Sequence, residues 1–294
     1  MTTDGPRSSL VLAGGGSAGI AWELGLLAGL AEQDPQLVEE LRAPTTTIVG
    51  TSAGSVVGAS LGSPRTMAEL VAPDLEERPA AAPDSSIADL IRLVLSMGVA
   101  RLGAHSPEER RRRIGRFATR ARTITTEEWR SRILDRLPST DWPAGRLLLA
   151  AVDVDSGDLR VFDRNSGVPL LDAVCASCAV PGVYPPVRID GATYMDGGMR
   201  SIANADLASP ADRVLVLAPL SRSSGMGSLS SSELSALAPA RIHTITADDA
   251  SRRAFGRNPL TASRRDSARA GLEQGRSIAT EVRAFWRSER PLTP

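Results

Sequence analysis

The sequence predicts an α/β fold with a mostly parallel central sheet. Two short strand-like segments, the apolar residues 9–13 and the β-branched residues 45–49, each lead into a glycine turn and then into a predicted helix. A strand, a glycine turn and a helix that repeat in this order are typical of parallel sheets, where helices cross between neighbouring strands. A length of 294 residues suits one large domain or two small ones.

The elements follow this pattern along the chain. Apolar residues recur every three or four positions over 17–31, which predicts a helix, and small apolar residues predict a second helix over 52–61. Later segments predict a small-residue helix over 170–180 and a closing helix over 263–287. Strand-like segments complete a sheet of six or seven strands and lie at residues 147–154, 159–162, 193–195, 214–218 and 242–246.

Residues 64–145 interrupt the alternation and predict a helical insertion within a single domain over 1–294. Their opening is rich in proline and alanine, which predicts a loop, and helical periodicity follows at 89–102, 107–122 and 126–137. Further along, serine and glycine dominate residues 221–232, which are expected to form a mobile linker.

Composition excludes several classes of protein. The 34 basic and 34 acidic residues cancel, which argues against a general nucleic-acid binder. No run of 18 apolar residues predicts a membrane-spanning helix, and the first residues lack the layout of a signal peptide. Two cysteines cannot build a disulfide framework, so the expected compartment is the reducing cytoplasm.

A G-x-S-x-G motif, Gly50-Thr51-Ser52-Ala53-Gly54, lies between a predicted strand and a predicted helix. In that context the glycines allow a sharp turn that presents the serine hydroxyl as a nucleophile at a helix amino terminus. The alternative is that Gly50 and Gly54 only permit close packing, while Ser52 caps the helix.

The segment Gly14-Gly15-Gly16-Ser17-Ala18-Gly19 has three interpretations. It fits a dinucleotide-binding fingerprint, a loop whose N–H groups stabilise an oxyanion, or a purely structural turn. The dinucleotide interpretation requires an acid at the end of the second strand, and that strand ends in Gly50-Thr51-Ser52 without one.

The candidate base is a carboxylate. Asp196-Gly197-Gly198 follows a short predicted strand, and its glycines allow a tight turn that presents the aspartate, although such aspartates often serve only as turn formers. The two histidines are weaker candidates, since His243 falls within a predicted strand and His105 within a loop of the insertion. Asp196 would then accept the serine proton directly.

Two further patterns have structural alternatives. Cys175 and Cys178 form a C-x-x-C, but no second cysteine pair or nearby histidine completes a zinc site, so tight packing is expected instead of redox or metal chemistry. The basic segment Arg110–Arg122 would suit contact with anionic lipid or, more simply, a solvated helix face.

These motifs together resemble the patatin-like phospholipase family. The glycine loop, the serine motif and the aspartate motif occur in the family's order, and a fourth segment, Ala176-Ser177-Cys178-Ala179-Val180-Pro181-Gly182-Val183-Tyr184-Pro185-Pro186, is similar to another of its patterns. Three residues of the first helix also fit, namely Ala21, Gly25 and Leu27. The resemblance spans residues 9–198.

The resemblance implies a three-layer α/β/α fold and a serine acyl hydrolase acting on lipid or other acyl esters without cofactor or metal. Ser52 would be the nucleophile and Asp196 the base, supported by Gly50, Gly54, Gly197 and Gly198. An oxyanion hole would come from Gly14, Gly15, Gly16 and Ser17. The insertion would shape the acyl pocket or close as a lid.

One position departs from the family. The glycine loop usually carries Arg or Lys just before its last glycine, and this chain has Ala18 there. The missing cation keeps two alternatives open: a slow or inactive lipid-binding or regulatory protein, and a soluble esterase for short or unusual acyl esters.

Overall fold

The computed structural model describes residues 7–76, 98–100, 102–220, 229–256, 258–260 and 262–288. Most of the helix predicted at 89–102 and most of the linker predicted at 221–232 lie outside these residues. In the described ranges no helix has the length and apolar character needed to cross a bilayer.

The centre of the fold is a mixed eight-stranded sheet. Its order is β5-β6-β3-β2-β1-β7-β8, and β4 also pairs with β3. The run from β3 to β8 is parallel, while β4, β5 and β6 pair antiparallel. The strands are β1 Ser8–Leu12, β2 Thr47–Thr51, β3 Leu147–Asp153, β4 Leu159–Phe162, β5 Val187–Ile189, β6 Ala192–Asp196, β7 Arg213–Ala218 and β8 Arg241–Thr246.

Helices flank the sheet, which confirms the predicted α/β class. They are α1 Gly16–Gln33, α2 Pro35–Arg42, α3 Ala53–Leu61, α4 Met67–Leu75, α5 Pro107–Arg120, α6 Thr126–Leu134, α7 Leu170–Ser177, α8 Ser231–Leu237, α9 Asp249–Phe255 and α10 Arg264–Arg287. Short 3₁₀ turns follow β6 at Gly197–Met199 and Ala205–Ala208.

Side-chain alternation along the strands divides the core into two faces. Leu10 and Leu12 of β1 point to one face, where they join the large apolar cluster formed with α1, α3 and α10. Val11, between them, belongs to a smaller cluster on the other face, covered by the turn at Ala205–Ala208 and by Leu237 of α8. This period of two is the strand signal that the sequence carries.

The opening of the insertion differs from its prediction. Residues 67–75 form helix α4 instead of a loop, although Pro73 lies inside it. Thr66 and Glu69 form a reciprocal capping box that satisfies the first N–H groups, and Met67 and Leu70 are buried. Capping and burial therefore outweigh the one backbone hydrogen bond that the proline lacks. Helices α2, α8 and α9 and the three-residue strand β5 were not predicted from the sequence.

Helices α1 and α10 approach each other through facing glycines. A Cβ at Gly25 would overlap Ala268 O, and one at Gly29 would overlap Leu272 O. On α10, a Cβ at Gly275 would equally overlap Leu26 O. Backbone thus lies directly against backbone, and any side chain at these positions forces the helices apart.

Gly29→Ala is therefore expected to lower the free energy of unfolding by about 1–3 kcal/mol, the usual cost of overpacking. Urea denaturation would measure it. Gly98→Ala is the matched control, since a Cβ at Gly98 meets nothing within 4 Å. Equal stability of the two variants would contradict the close helix contact.

Candidate active site

Ser52 lies at the sharp turn between β2 and α3. Its backbone has φ 52° and ψ −117°, a conformation that non-glycine residues rarely adopt. A Cβ at Gly54 would overlap Leu12 O, so the helix can follow the strand this closely only because that position lacks a side chain. The Ser52 side chain makes no capping hydrogen bond to the helix, and this removes the alternative in which it serves as the cap.

The strained turn is held from a neighbouring segment. Ser52 N–H donates to Ser177 Oγ at 3.0 Å. The Ser52 carbonyl accepts from Ser55 Oγ at 2.6 Å and from Cys178 Sγ at 3.1 Å. In the sequence, Ser177 and Cys178 are recognisable only as members of motifs, and their contacts with the serine turn come from the tertiary structure.

The sheet brings Asp196 beside this turn. Thr51, the last residue of β2, pairs with Ala150 of β3, and the next residue, Ala151, pairs across its other edge with Asp196. β6 and β2 are thus separated by one strand, or about 10 Å between backbones. A serine and an aspartate side chain that point toward each other can span this gap.

Asp196 is almost completely buried, at 2% exposure. Burial raises the pKa of its carboxyl to about 7, while the Ser52 hydroxyl and the Gly198 N–H act in the opposite direction. Oδ1 accepts from Gly198 N–H at 2.7 Å. Oδ2 is buried and makes no hydrogen bond of ordinary geometry to the described residues. A Cβ at Gly197 would overlap the Ala150 carbonyl oxygen, and a Cβ at Gly198 would crowd Asp196 Oδ1, so neither position of the motif has room for a side chain.

The backbone N–H groups of the glycine loop differ in whether they already donate a hydrogen bond. Gly14 N–H donates to Ile202 O at 2.8 Å, and Ala18 N–H donates to Pro259 O at 3.0 Å. The N–H groups of residues 15–17 make no such bonds within the described residues. Of the four predicted oxyanion donors, Gly14 is therefore occupied elsewhere, and Gly15, Gly16 and Ser17 remain available.

Asn204 joins the serine turn to the aspartate turn. Its Nδ2 lies 3.1 Å from Thr51 Oγ1 and 3.2 Å from Gly197 O, and it donates to Ser201 O at 2.6 Å. The residue is fully buried in the left-handed region at φ 47°, which asparagine tolerates better than most residues. Asn204 was not predicted as a site residue, because a single asparagine between two alanines carries no local sequence signal.

A cavity of about 600 Å³ opens at Ser52. One wall comes from the insertion, where Trp129 of α6 stacks on Tyr184 at 3.8 Å between ring centroids. The apolar part of the lining includes Ile20, Leu24, Val56, Leu70, Ile133 and Val180. A larger cavity, of about 880 Å³, lies at the opposite end of α3 near Leu61 and Pro143, and its described lining contains none of the motif residues. The smaller cavity is the candidate site.

Neither histidine belongs to the described lining of this cavity, and neither cysteine suits redox chemistry. His243 is in β8 with its Nε2 3.3 Å from Glu281, and His105 precedes α5. Burial raises the pKa of Cys175 to about 12 and that of Cys178 further, so neither thiol has the low pKa of a redox cysteine. The described residues contain no group of side chains suited to hold a metal ion.

Replacing Asn204 by alanine is expected to lower the free energy of unfolding by about 2–4 kcal/mol. The buried partners of its side chain would lose a hydrogen bond, and alanine would have to adopt the positive φ of this position, which it tolerates less well than asparagine. Asp190→Ala is the matched control, since Asp190 has φ 49° but is exposed. It isolates the backbone cost, about 1 kcal/mol. Thermal and urea unfolding would measure both variants, and equal losses would show that the hydrogen bonds of Asn204 contribute nothing.

Several solved structures are similar to this chain in backbone structure, at low sequence identity. VipD from Legionella pneumophila has 13% identity and a TM-score of 0.44, over 94% of this chain and 67% of that one. The type III effector ExoU has 17% identity and a TM-score of 0.41, and the match covers 96% of this chain and 54% of that one. The structure of the ExoU–SpcU complex of Pseudomonas aeruginosa has 18% identity and a TM-score of 0.40, and the match covers 94% of this chain and 52% of that one. This chain spans about half the length of the ExoU chains.

Sequence comparison gives the family. No curated protein matches the chain. Residues 10–209, which include the glycine loop, the serine turn and Asp196, match the sequence model described as Patatin-like phospholipase. This match confirms the resemblance that the motifs indicate. The chain therefore belongs to the patatin-like phospholipase family, a family of lipid acyl hydrolases.

Proposed function

We propose that this chain is a serine acyl hydrolase that cleaves carboxyl esters of lipids through a Ser52–Asp196 dyad. The observation that carries the proposal is a serine on a strained turn beside a buried aspartate whose pKa is raised to about 7. Three N–H groups of the glycine loop lie at the start of α1, after the carboxyl end of β1, and β1 runs parallel to β2, which ends at the serine turn. Together these supply a nucleophile, a base and oxyanion donors.

In the first step, Asp196 takes the proton from Ser52 Oγ as this oxygen bonds to the ester carbonyl carbon. The N–H groups of residues 15–17 stabilise the negative charge that develops on the carbonyl oxygen, and one such donor is typically worth about 3–4 kcal/mol. The bond to the alcohol oxygen then breaks, the alcohol takes the proton from Asp196, and the acyl group stays on Ser52.

Water completes the cycle. Asp196 accepts a proton from water as the water oxygen attacks the acyl carbonyl, and collapse of the intermediate releases the fatty acid and returns the proton to Ser52. Burial makes this aspartate a stronger base than an ordinary carboxylate of pKa about 3.9. The apolar lining of the 600 Å³ cavity suits an acyl chain.

The proposal includes one domain over residues 1–294 with 64–145 as its insertion. What supports this role for the insertion is α6, since Trp129 and Ile133 both line the cavity at Ser52. The insertion would thereby determine the shape of the acyl pocket.

A fluorophosphonate probe is expected to label Ser52 alone, as read by intact mass and peptide mapping. Ser52→Ala should abolish labelling and lower p-nitrophenyl ester hydrolysis by at least about 10³-fold. Ser60→Ala is the matched control, because Ser60 is a buried serine of α3 that lines the same cavity. A folded wild-type protein with neither label nor turnover would favour the lipid-binding or regulatory alternative.

The pH dependence follows from the raised pKa of Asp196. Only the ionised carboxylate can act as base, so kcat/KM should rise with pH to a plateau with an apparent pKa near 7. Below that value it should fall about tenfold per pH unit. Circular dichroism over the same range checks that the fold persists. A plateau that extends down to pH 5 would contradict the buried base.

The proposal extends to peripheral contact with anionic lipid through the Arg110–Arg122 segment. Two of its arginines are engaged within the chain: Arg111 with Gly157 O and Glu108, and Arg113 with Glu109. The basic row of Arg112, Arg116 and Arg120 is exposed and recurs every fourth residue along α5. One helix face therefore presents three cations.

Replacing all three residues of the basic row by glutamine should weaken co-sedimentation with anionic vesicles by about 100-fold, from about 1 kcal/mol for each arginine near the surface. The control carries three glutamines at exposed arginines elsewhere: Arg188, Arg253 and Arg269. Equal binding by both variants would identify the row as a solvated helix face.

A further inference from the structure

The larger cavity of the fold, of about 880 Å³, has a mainly apolar lining. Its walls come from α1, α2 and α4, from the carboxyl end of α3, and from the segment that leads into β3. The apolar residues of the lining include Ala31, Val38, Ile48, Leu61, Val71 and Leu147. A cavity of this size and character suits a small-molecule ligand with a long apolar part. It is called the second cavity below.

Helix α4 is a wall shared by the second cavity and the catalytic one. Val71 and Leu75 line the second cavity, whereas Leu70 and Pro73 line the 600 Å³ cavity at Ser52. These two pairs of residues lie on different faces of the helix. The second cavity is therefore a separate space next to the candidate active site.

The acidic side chains around the second cavity have partners within the chain. Glu32 pairs with Arg276, and Glu39 Oε1 lies 3.4 Å from Arg42 Nη1. Glu76 is also engaged. Arg42 donates in addition to three backbone carbonyl oxygens, so its guanidinium is already used by the protein.

Two arginines at the edge of the second cavity contact no carboxylate of the described residues. Arg65 and Arg146 line the cavity with exposed side chains, and neither side chain forms a hydrogen bond or an ion pair in the described ranges. Arg65 acts on Glu69 only at longer range. The segments that carry the two arginines lie against each other, since a Cβ at Gly62 would overlap Pro143. This edge thus presents two positive charges to a ligand.

We propose that the second cavity binds a free fatty acid, with the alkyl chain along the apolar lining and the carboxylate at Arg65 and Arg146. The apolar lining favours a hydrocarbon chain over a sugar or a nucleotide, whose polar groups would lose their hydration without gaining partners. The two arginines favour a carboxylate over a neutral or cationic head group, since a guanidinium binds a carboxylate through charge-assisted hydrogen bonds. The inference goes beyond the acyl hydrolase activity and holds whether or not Ser52 is catalytic.

The experiment uses the whole chain with Ser52→Ala and a decanoic acid that carries a diazirine at its methyl end. Irradiation attaches the bound chain to its neighbours, and tandem mass spectrometry locates the labelled residues. In the described lining, residues within 28–48 and 143–147 belong to the second cavity alone, and residues within 129–138 belong to the catalytic cavity alone. Saturable labelling of the second cavity, with competition by excess decanoate, is expected. Absence of label from 28–48 and 143–147 would overturn the site.

Replacing both Arg65 and Arg146 by glutamine tests the carboxylate contact. It should raise the Kd of decanoate, measured by competition against the label in the second cavity, about tenfold. Decan-1-ol has the same chain length without the charge, so its Kd should change by less than about twofold. The matched control replaces two exposed arginines outside the described lining of both cavities, Arg188 and Arg269, by glutamine. An unchanged Kd of decanoate in the first variant, or an equal rise in the control, would contradict the proposed contact.

A steric variant tests the place of the alkyl chain. Ala72 is an exposed residue of α4 that lines the second cavity, so Ala72→Trp puts an indole where the chain would lie. Label in the second cavity should then be lost. Ala236→Trp is the matched control, at an exposed alanine of α8 outside the described lining of both cavities. Equal labelling of the two variants, with circular dichroism showing both folded, would refute this placement of the chain.

These measurements follow binding and not turnover, which separates the inference from the proposed function. If the wild-type chain hydrolyses no ester but the second cavity is labelled as described, the inference stands and the proposed function fails. If the chain is an active hydrolase and the second cavity takes no label, the proposed function stands and the inference fails.

Discussion

The backbone of Ser52 is the constraint on which the site depends. A non-glycine residue at φ 52° and ψ −117° costs about 1–3 kcal/mol and persists only where its surroundings hold it. Ser177, Ser55 and Cys178 bind its N–H and C=O groups, and Gly54 lets α3 start directly against β1. The strain lifts the serine out of the sheet toward the cavity and toward Asp196.

Burial has a second effect at Asp196, where it raises the pKa of the carboxyl group. A buried carboxylate loses the water that stabilises its charge, and it therefore accepts a proton more readily. The sheet makes such burial possible by placing the antiparallel strand β6 one strand away from β2, so that the serine turn and the aspartate turn converge from different parts of the chain. Asn204 then ties the turns together beneath the surface, which limits their relative movement.

The insertion contributes one wall of the cavity at Ser52. Its helix α6 packs Trp129 on Tyr184, donates from Trp129 Nε1 to Cys175 O, and directs Arg136 to the glycine loop. The segment that follows the serine turn in sequence thus supplies part of the pocket wall and a charge.

The sequence by itself determined the α/β class, seven of the eight strands and the placement of the glycine loop, the serine motif and the aspartate motif, because these are local patterns. Strand alternation and glycine turns are readable within a few residues. Tertiary structure alone decided which N–H groups of the loop remain available, how far burial raises the pKa of Asp196, and that Arg136 meets Ser17. It also decided that residues 67–75 form a helix despite Pro73, since their burial against α1 depends on distant packing. Such properties arise from contacts between residues far apart in the chain, whose partners are not encoded in any local spacing.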